Sequence, residues 1–123
     1  RAKMRDEIGR TQEIITQITG SKPMHFRAPF GVRWFGLGAV QKEFGLLGVM
    51  WTAIGLDWKL SPAAIAARLN RAAAPGAILC LHDGRVLQPQ PDVANTLEAV
   101  ALLLPLLKQR NLSITSLSAM LEP

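Results

Sequence analysis

Three short β-prone runs set the terms for what this chain can fold into. They are residues 24–27 (MHFR), 47–54 (LGVMWTAI) and 77–81 (AILCL), and each gives way at once to a turn holding polar or aromatic residues. Stretches of helical period lie before, between and after them. Met4, Ile8, Thr11, Ile15 and Ile18 recur at steps of three and four, which predicts a helix over residues 2–19. Gly20 and Pro23 stop it. Residues 38–45 read as a short helix closed by Gly45. Ser61-Pro62 is a start signal, a capping hydroxyl followed by a ring with the right φ, for a helix running to the Pro75-Gly76 turn. Asp92 is expected to cap a long helix over 93–110, broken or bent near Pro105. Residues 112–115 (LSIT) read as a last strand and 116–121 (SLSAML) as a last helical turn. The run 47–54 is apolar enough to expect a strand buried on both faces.

Alternating strand and helix predicts an α/β fold with parallel strands joined by crossovers. Residues 1–123 suit a single domain, and an apolar fraction of 49% can build a core. In such sheets and barrels ligands gather at the C-terminal ends of the strands. Arg27, Pro29 and Phe30 follow the first run, Asp57 and Trp58 the second, and His82 the third, so the chemically interesting residues are expected at one rim.

Composition narrows the function classes. The net charge is +5, and seven of the fourteen basic residues fall in the first 33, diluted by Asp6, Glu7 and Glu13. That is a solvated, mildly basic surface rather than a charge block, and no nucleic-acid motif accompanies it. Cys80 is the single cysteine, which excludes an intrachain disulfide and a cysteine-rich zinc site. The apolar run 99–107 is too short for a membrane span, which needs ~20 residues. The first residue is Arg1, so the expectation is a processed form or a piece of a longer product.

The residues themselves suggest acid–base chemistry. A carboxylate beside an imidazole favours its protonated form and fixes its tautomer, so Asp57 next to His82 would make a general acid. A lone histidine after a strand is more often structural. Arg27 can orient a carboxylate through two parallel hydrogen bonds, or make a plain salt bridge, for instance to Asp57. Pro29 and Gly31 constrain the backbone, so the N–H of Phe30 could face a developing oxyanion. Trp34, Phe35 and Trp58 could wall a sugar ring, or belong to the core.

In this order and spacing, "FRAPFG", "LDW" and "ILCLHDG" resemble three motifs of the polysaccharide deacetylases, carbohydrate esterase family four, also called the NodB homology domain. The resemblance covers essentially the whole chain and implies the C-terminal portion of a distorted (β/α) barrel, with the first strands missing. It implies a metal-dependent hydrolase removing N- or O-acetyl groups from an acetylated glycan, with a divalent metal, commonly zinc, held by an Asp and two His. Carried over, Arg27 orients the catalytic base, the Phe30 N–H stabilises the oxyanion, His82 protonates the leaving group, and Asp57 tunes it. Pro29, Trp58 and Cys80 shape the substrate pocket. A cell-envelope or secreted location would fit the family.

Three departures qualify this. Phe30 stands where the family has Tyr, and Cys80 where it has Leu. The family's Asp-Asp pair and His-x-x-x-His are absent, and His25 lies where an ordinary strand residue belongs, so it reads as structural. No metal site is therefore expected in this chain, and the isolated chain is expected to be inactive. The open sheet edge is expected to be covered or to pair with a second copy. The alternative is a non-catalytic carbohydrate-binding or interaction domain derived from the fold.

Overall fold

The computed structural model describes residues 1–84, 86 and 88–121. They form two compact units, residues 1–50 and 51 onward, and every strand pairing in them is parallel.

The first unit begins with α1, Ala2–Thr19, and Gly20 ends it in a left-handed conformation (φ 71°) that lets its N–H reach the Thr16 carbonyl. The chain then forms β1 (His25–Phe26), a 3-10 turn (Pro29–Gly31), α2 (Leu37–Phe44) and β2 (Leu47–Gly48). β1 and β2 pair with His25 opposite Leu47 and Phe26 opposite Gly48. Ile8, Ala28, Leu37 and Val40 are the core, backed by Met4, Phe26, Phe44 and Leu46. The stripe read from α1 holds only in its first half. Ile8 is buried, but Ile18 is 78% exposed, and Gln12 takes the next inward position. An amide suits that place because its Nε2 donates to the carbonyls of Pro23 (3.0 Å) and Phe44 (3.2 Å), tying α1 to the ends of two neighbouring segments.

The second unit runs β3 (Ala53–Ile54), α3 (Pro62–Ala72), β4 (Leu79–Cys80), α4 (Ala94–Gln109) and α5 (Leu117–Leu121). The hydroxyl of Ser61 accepts from the Ala64 N–H, and Pro62 opens α3 as expected. Ile65, Leu69 and Ala73 face Ala99, Leu103 and Leu107, two rows stepped by four that interlock as helix ridges do. Arg110 then fastens the end of α3 by donating to the carbonyls of Asn70 and Ala73. Gly55 is closely approached: a Cβ there would lie 2.5 Å from Leu81 Cδ2 and 3.2 Å from Ile65 Cγ2, so Leu81 would have to shift.

Three expectations are corrected. The run 47–54 is not one strand buried on both faces. It is two two-residue strands, β2 pairing with β1 and β3 with β4, and Leu47 is half exposed. Residues 112–115 form no strand; Asn111 is left-handed (φ 56°) and Ile114 is exposed, so the segment has no ladder to join among the described residues. α4 is not broken at Pro105, because that residue and Ala101, whose carbonyl loses its donor, both face solvent while Leu103 and Leu107 hold the helix to the core. Asp92 does act at the α4 start, its Oδ1 accepting from the Ala94 N–H at 2.9 Å, with Val93 between.

Leu69 is 1% exposed and Leu97 67%. Leu69→Ala is therefore expected to lower unfolding free energy by about 2–5 kcal/mol. Leu97→Ala should change it by less than about 0.5 kcal/mol, both measured by urea denaturation.

Candidate active site

The parallel register of β3 and β4 sets Ile54 beside Cys80, so the residues that follow each strand emerge side by side. The ladder continues one step further, the Gly55 N–H donating to the Cys80 carbonyl at 2.9 Å. Leu56 then adopts a left-handed conformation (φ 57°), and its carbonyl accepts from the N–H groups of Lys59 and Leu60. This tight reversal leaves Asp57 beneath the end of β4.

Asp57 is 1% exposed, yet its carboxylate is well satisfied. Oδ1 lies 2.8 Å from His82 Nδ1. Oδ2 accepts from the His82 backbone N–H at 3.0 Å and from the Thr96 hydroxyl at 2.7 Å. Burial alone would raise the Asp57 pKa. The hydrogen bonds from the His82 ring, the Thr96 hydroxyl and backbone N–H groups outweigh burial and hold it below the ordinary carboxylate value. An ionised carboxylate can only accept, so His82 Nδ1 carries a hydrogen, and Nε2 is left to hold or release a proton on the ring's other side. The ring is partly exposed, and Trp58 meets it edge-to-face with centroids 5.1 Å apart at 78°. Trp58 itself is 52% exposed, an aromatic surface beside a proton-carrying nitrogen.

Of the residues singled out from sequence, the structure brings Asp57, Trp58 and His82 into contact, while Cys80 is buried within β4. Thr96 was not foreseen. It sits in the first turn of α4, and its signal was position: residues 96, 99, 103 and 107 form the inward face of α4, where a hydroxyl needs a buried partner.

Arg27, Pro29 and Phe30 belong to the first unit. The Arg27 guanidinium donates to the carbonyls of Val49 (3.4 Å) and Met50 (3.3 Å), just past β2. Phe30 is held left-handed at φ 55° within the turn, flanked by Gly31 N–H to Ala28 carbonyl and Val32 N–H to Pro29 carbonyl bonds. A bulky side chain in that region costs about 1–3 kcal/mol, so the turn is over-determined by its neighbours. The ring is 85% exposed.

No group of three or more His, Cys, Asp and Glu among the described residues could hold a metal ion, and both Asp57 oxygens are already engaged. No helix among the described residues is long and apolar enough to cross a membrane.

Because the Asp57 pKa is depressed on folding, its ionisation stabilises the fold above the unfolded value near ~3.9. That contribution is lost as pH falls through the lower, folded value. Urea unfolding from pH 7 to 2 should show the stability gap between wild type and Asp57→Asn shrinking below about pH 4. Thr96→Val removes one cause of the depression and should move the acid transition to higher pH.

No family model matches the chain. A chitooligosaccharide deacetylase from Bradyrhizobium sp. (strain ANU 289) is 29% identical over 121 residues, covering 92% of this chain and 55% of the relative. The solved family 4 carbohydrate esterase from Streptomyces lividans, in complex with acetate, is 30% identical with a TM-score of 0.83, covering 98% of this chain and 58% of that one. A CE4 family pseudoenzyme from Bacillus anthracis is 25% identical with a TM-score of 0.84, covering 97% of this chain and 40% of that one. The chain thus spans 40–58% of the length of these three proteins. Shared sequence, the parallel α/β fold and the extent of the overlap agree: over the part of that fold which it spans, the chain is similar to the polysaccharide deacetylases of carbohydrate esterase family 4.

Proposed function

We propose that residues 1–123 carry the proton-donating side of a metal-dependent deacetylase that hydrolyses N- or O-acetyl groups on a glycan. The observation that carries this reading is the Asp57–His82 pair, a partly exposed imidazole whose inner nitrogen is fixed by a buried carboxylate. Hydrolysis adds the oxygen of water to the acyl carbon, breaks its bond to the sugar nitrogen or oxygen, and leaves that atom in need of a proton. His82, protonated on both nitrogens, supplies it from Nε2 while Asp57 keeps Nδ1–H in place and stabilises the ring's charge. Trp58 lies against the same ring and walls the acetyl or sugar pocket on this side. On this reading the carboxylate that takes the water's proton lies outside residues 1–123; Arg27 orients it, and the Phe30 N–H, in its left-handed turn, donates to the oxyanion.

The described residues do not fit a divalent metal. On this reading the zinc implied by the family resemblance takes its ligands from polypeptide other than residues 1–123, and the isolated chain is inactive. A second reading, a glycan-binding domain without catalysis, is favoured by the likeness to a Bacillus anthracis pseudoenzyme. The intact Asp57–His82 geometry weighs against it, since a domain that only binds has no use for an oriented proton donor.

A chimera tests both. The 121-residue matched region of the Bradyrhizobium deacetylase is replaced by residues 1–123, and acetate release is followed on N-acetylated chitooligosaccharides and acetylated xylan. The chimera should be active and the isolated chain inactive with or without added zinc. His82→Ala in the chimera should lower kcat by about 10²–10⁴ with little change in KM. A chimera whose activity ignores His82→Ala would defeat the proposal. A chimera that binds glycan but releases no acetate would favour the second reading.

A further inference from the structure

A cavity of about 550 Å³ lies in the second unit, between the segment 51–54 that holds β3 and the last turns of α3. Trp51, Thr52, Ala53 and Ile54 line one side of it, and Arg68 and Arg71 the other. Asp57, Trp58 and His82 take no part in its wall. The charge around it is one-sided. Residues 58–82 contain Lys59, Arg68 and Arg71 but no Asp or Glu. No described carboxylate lines the cavity, and neither arginine forms an ion pair among the described residues.

The two guanidiniums are placed together by the helix. Arg68 and Arg71 stand three residues apart on α3, which puts them on one face as neighbours. Arg68 Nε donates to the Ile54 carbonyl at 2.8 Å. That bond fixes the plane of the group and leaves the edge formed by its two terminal nitrogens without a hydrogen bond among the described residues. Such an edge matches a carboxylate or phosphate with two parallel bonds. A cation in the last turn of a helix is favourable in itself, which accounts for Arg71 alone. It does not account for a second guanidinium anchored one turn earlier over the same cavity. Two like charges this close on a helix repel each other, and an oxyanion held between them reverses the sign of that term.

The dimensions point past a bare ion. Pockets for small molecules run from ~300 to 1,000 Å³, and this one falls within that range. Trp51, part-buried, and Ala53 give it apolar wall beside the cations. An indole beside guanidiniums suits a pyranose ring that bears an acid group, the ring's C–H face packing on the aromatic surface while the acid meets the charge. We infer that this cavity binds a sugar carrying an oxyanion, either a carboxylate or a phosphate, clamped by Arg68 and Arg71 with Trp51 against the ring. The site is separate from the Asp57–His82 pair and rests on no catalytic reading. It holds a charged sugar, not the acetylated one that is hydrolysed.

The test is an NMR titration of ¹⁵N-labelled residues 1–123 with glucuronic acid, glucose 6-phosphate, glucose and inorganic phosphate. At least one charged sugar should bind about tenfold or more tighter than glucose, and it should move the Trp51 indole N–H signal, assigned through Trp51→Phe. The tighter of the two charged sugars names the source of the oxyanion. Inorganic phosphate should bind more weakly than that sugar, because it leaves Trp51 untouched. Arg71→Gln should weaken binding about tenfold, the factor that one charge-assisted hydrogen bond carries, without changing circular dichroism or melting temperature. Arg68→Lys keeps the charge but loses the planar fork, and should weaken binding as well. Lys59→Gln removes a charge that does not line the cavity and should leave binding unchanged. Equal affinity for glucose, inorganic phosphate binding as tightly as either charged sugar, or binding indifferent to Arg71→Gln would overturn the inference. Because the readout is binding and not acetate release, its failure is separable from failure of the catalytic proposal.

Discussion

A carboxylate taken out of water has to be matched by donors, and the second unit is organised around doing so for Asp57. Its two oxygens accept from a ring nitrogen, a backbone N–H and a hydroxyl. Removing any one partner leaves the charge less well matched in a poorly solvated place, which is costlier than the loss of an ordinary surface bond. The α3–α4 core, the close approach permitted by Gly55 and the left-handed turn at Leu56 all serve to hold those donors at bonding distance.

This arrangement explains why the histidine is informative here when a single histidine seldom is. Its ring is held on one side by charge and on the other by an indole edge, so rotation and tautomer are both restricted. Such restriction is what a group needs if it is to deliver a proton along one direction. The turn at Phe30 shows a parallel economy in the first unit, with backbone strain localised to one residue whose side chain projects into solvent.

Much of this was legible from the residues. Gly20, Gly45 and Ser61-Pro62 marked helix ends because their backbone preferences are local, and the structure puts helix boundaries there. Asp57 and His82 stood out because polar residues directly after apolar runs fall at strand ends in parallel sheets. What escaped depended on partners distant in sequence. Thr96 looks like any helical threonine until α4 is docked, and Gln12 like a surface residue until the ends of neighbouring segments are brought to it. The run 47–54 was read as one strand because apolar content carries no information about which neighbour each half will pair with.

The sequence distances within the Asp57 cluster carry a consequence for how the site comes into being. His82 lies 25 residues from Asp57 and Thr96 lies 39. Closing loops of that length has an entropic cost that local helix formation does not, so these bonds depend on the packing of the intervening helix and strand. A collapsed chain with α3 and α4 formed but not docked would have near-native helicity and an imidazole free to rotate. The histidine ring thus reports on tertiary order in a way that helix content does not, and the slow exchange of its Nδ1 proton would mark the moment when a compact chain becomes a native one.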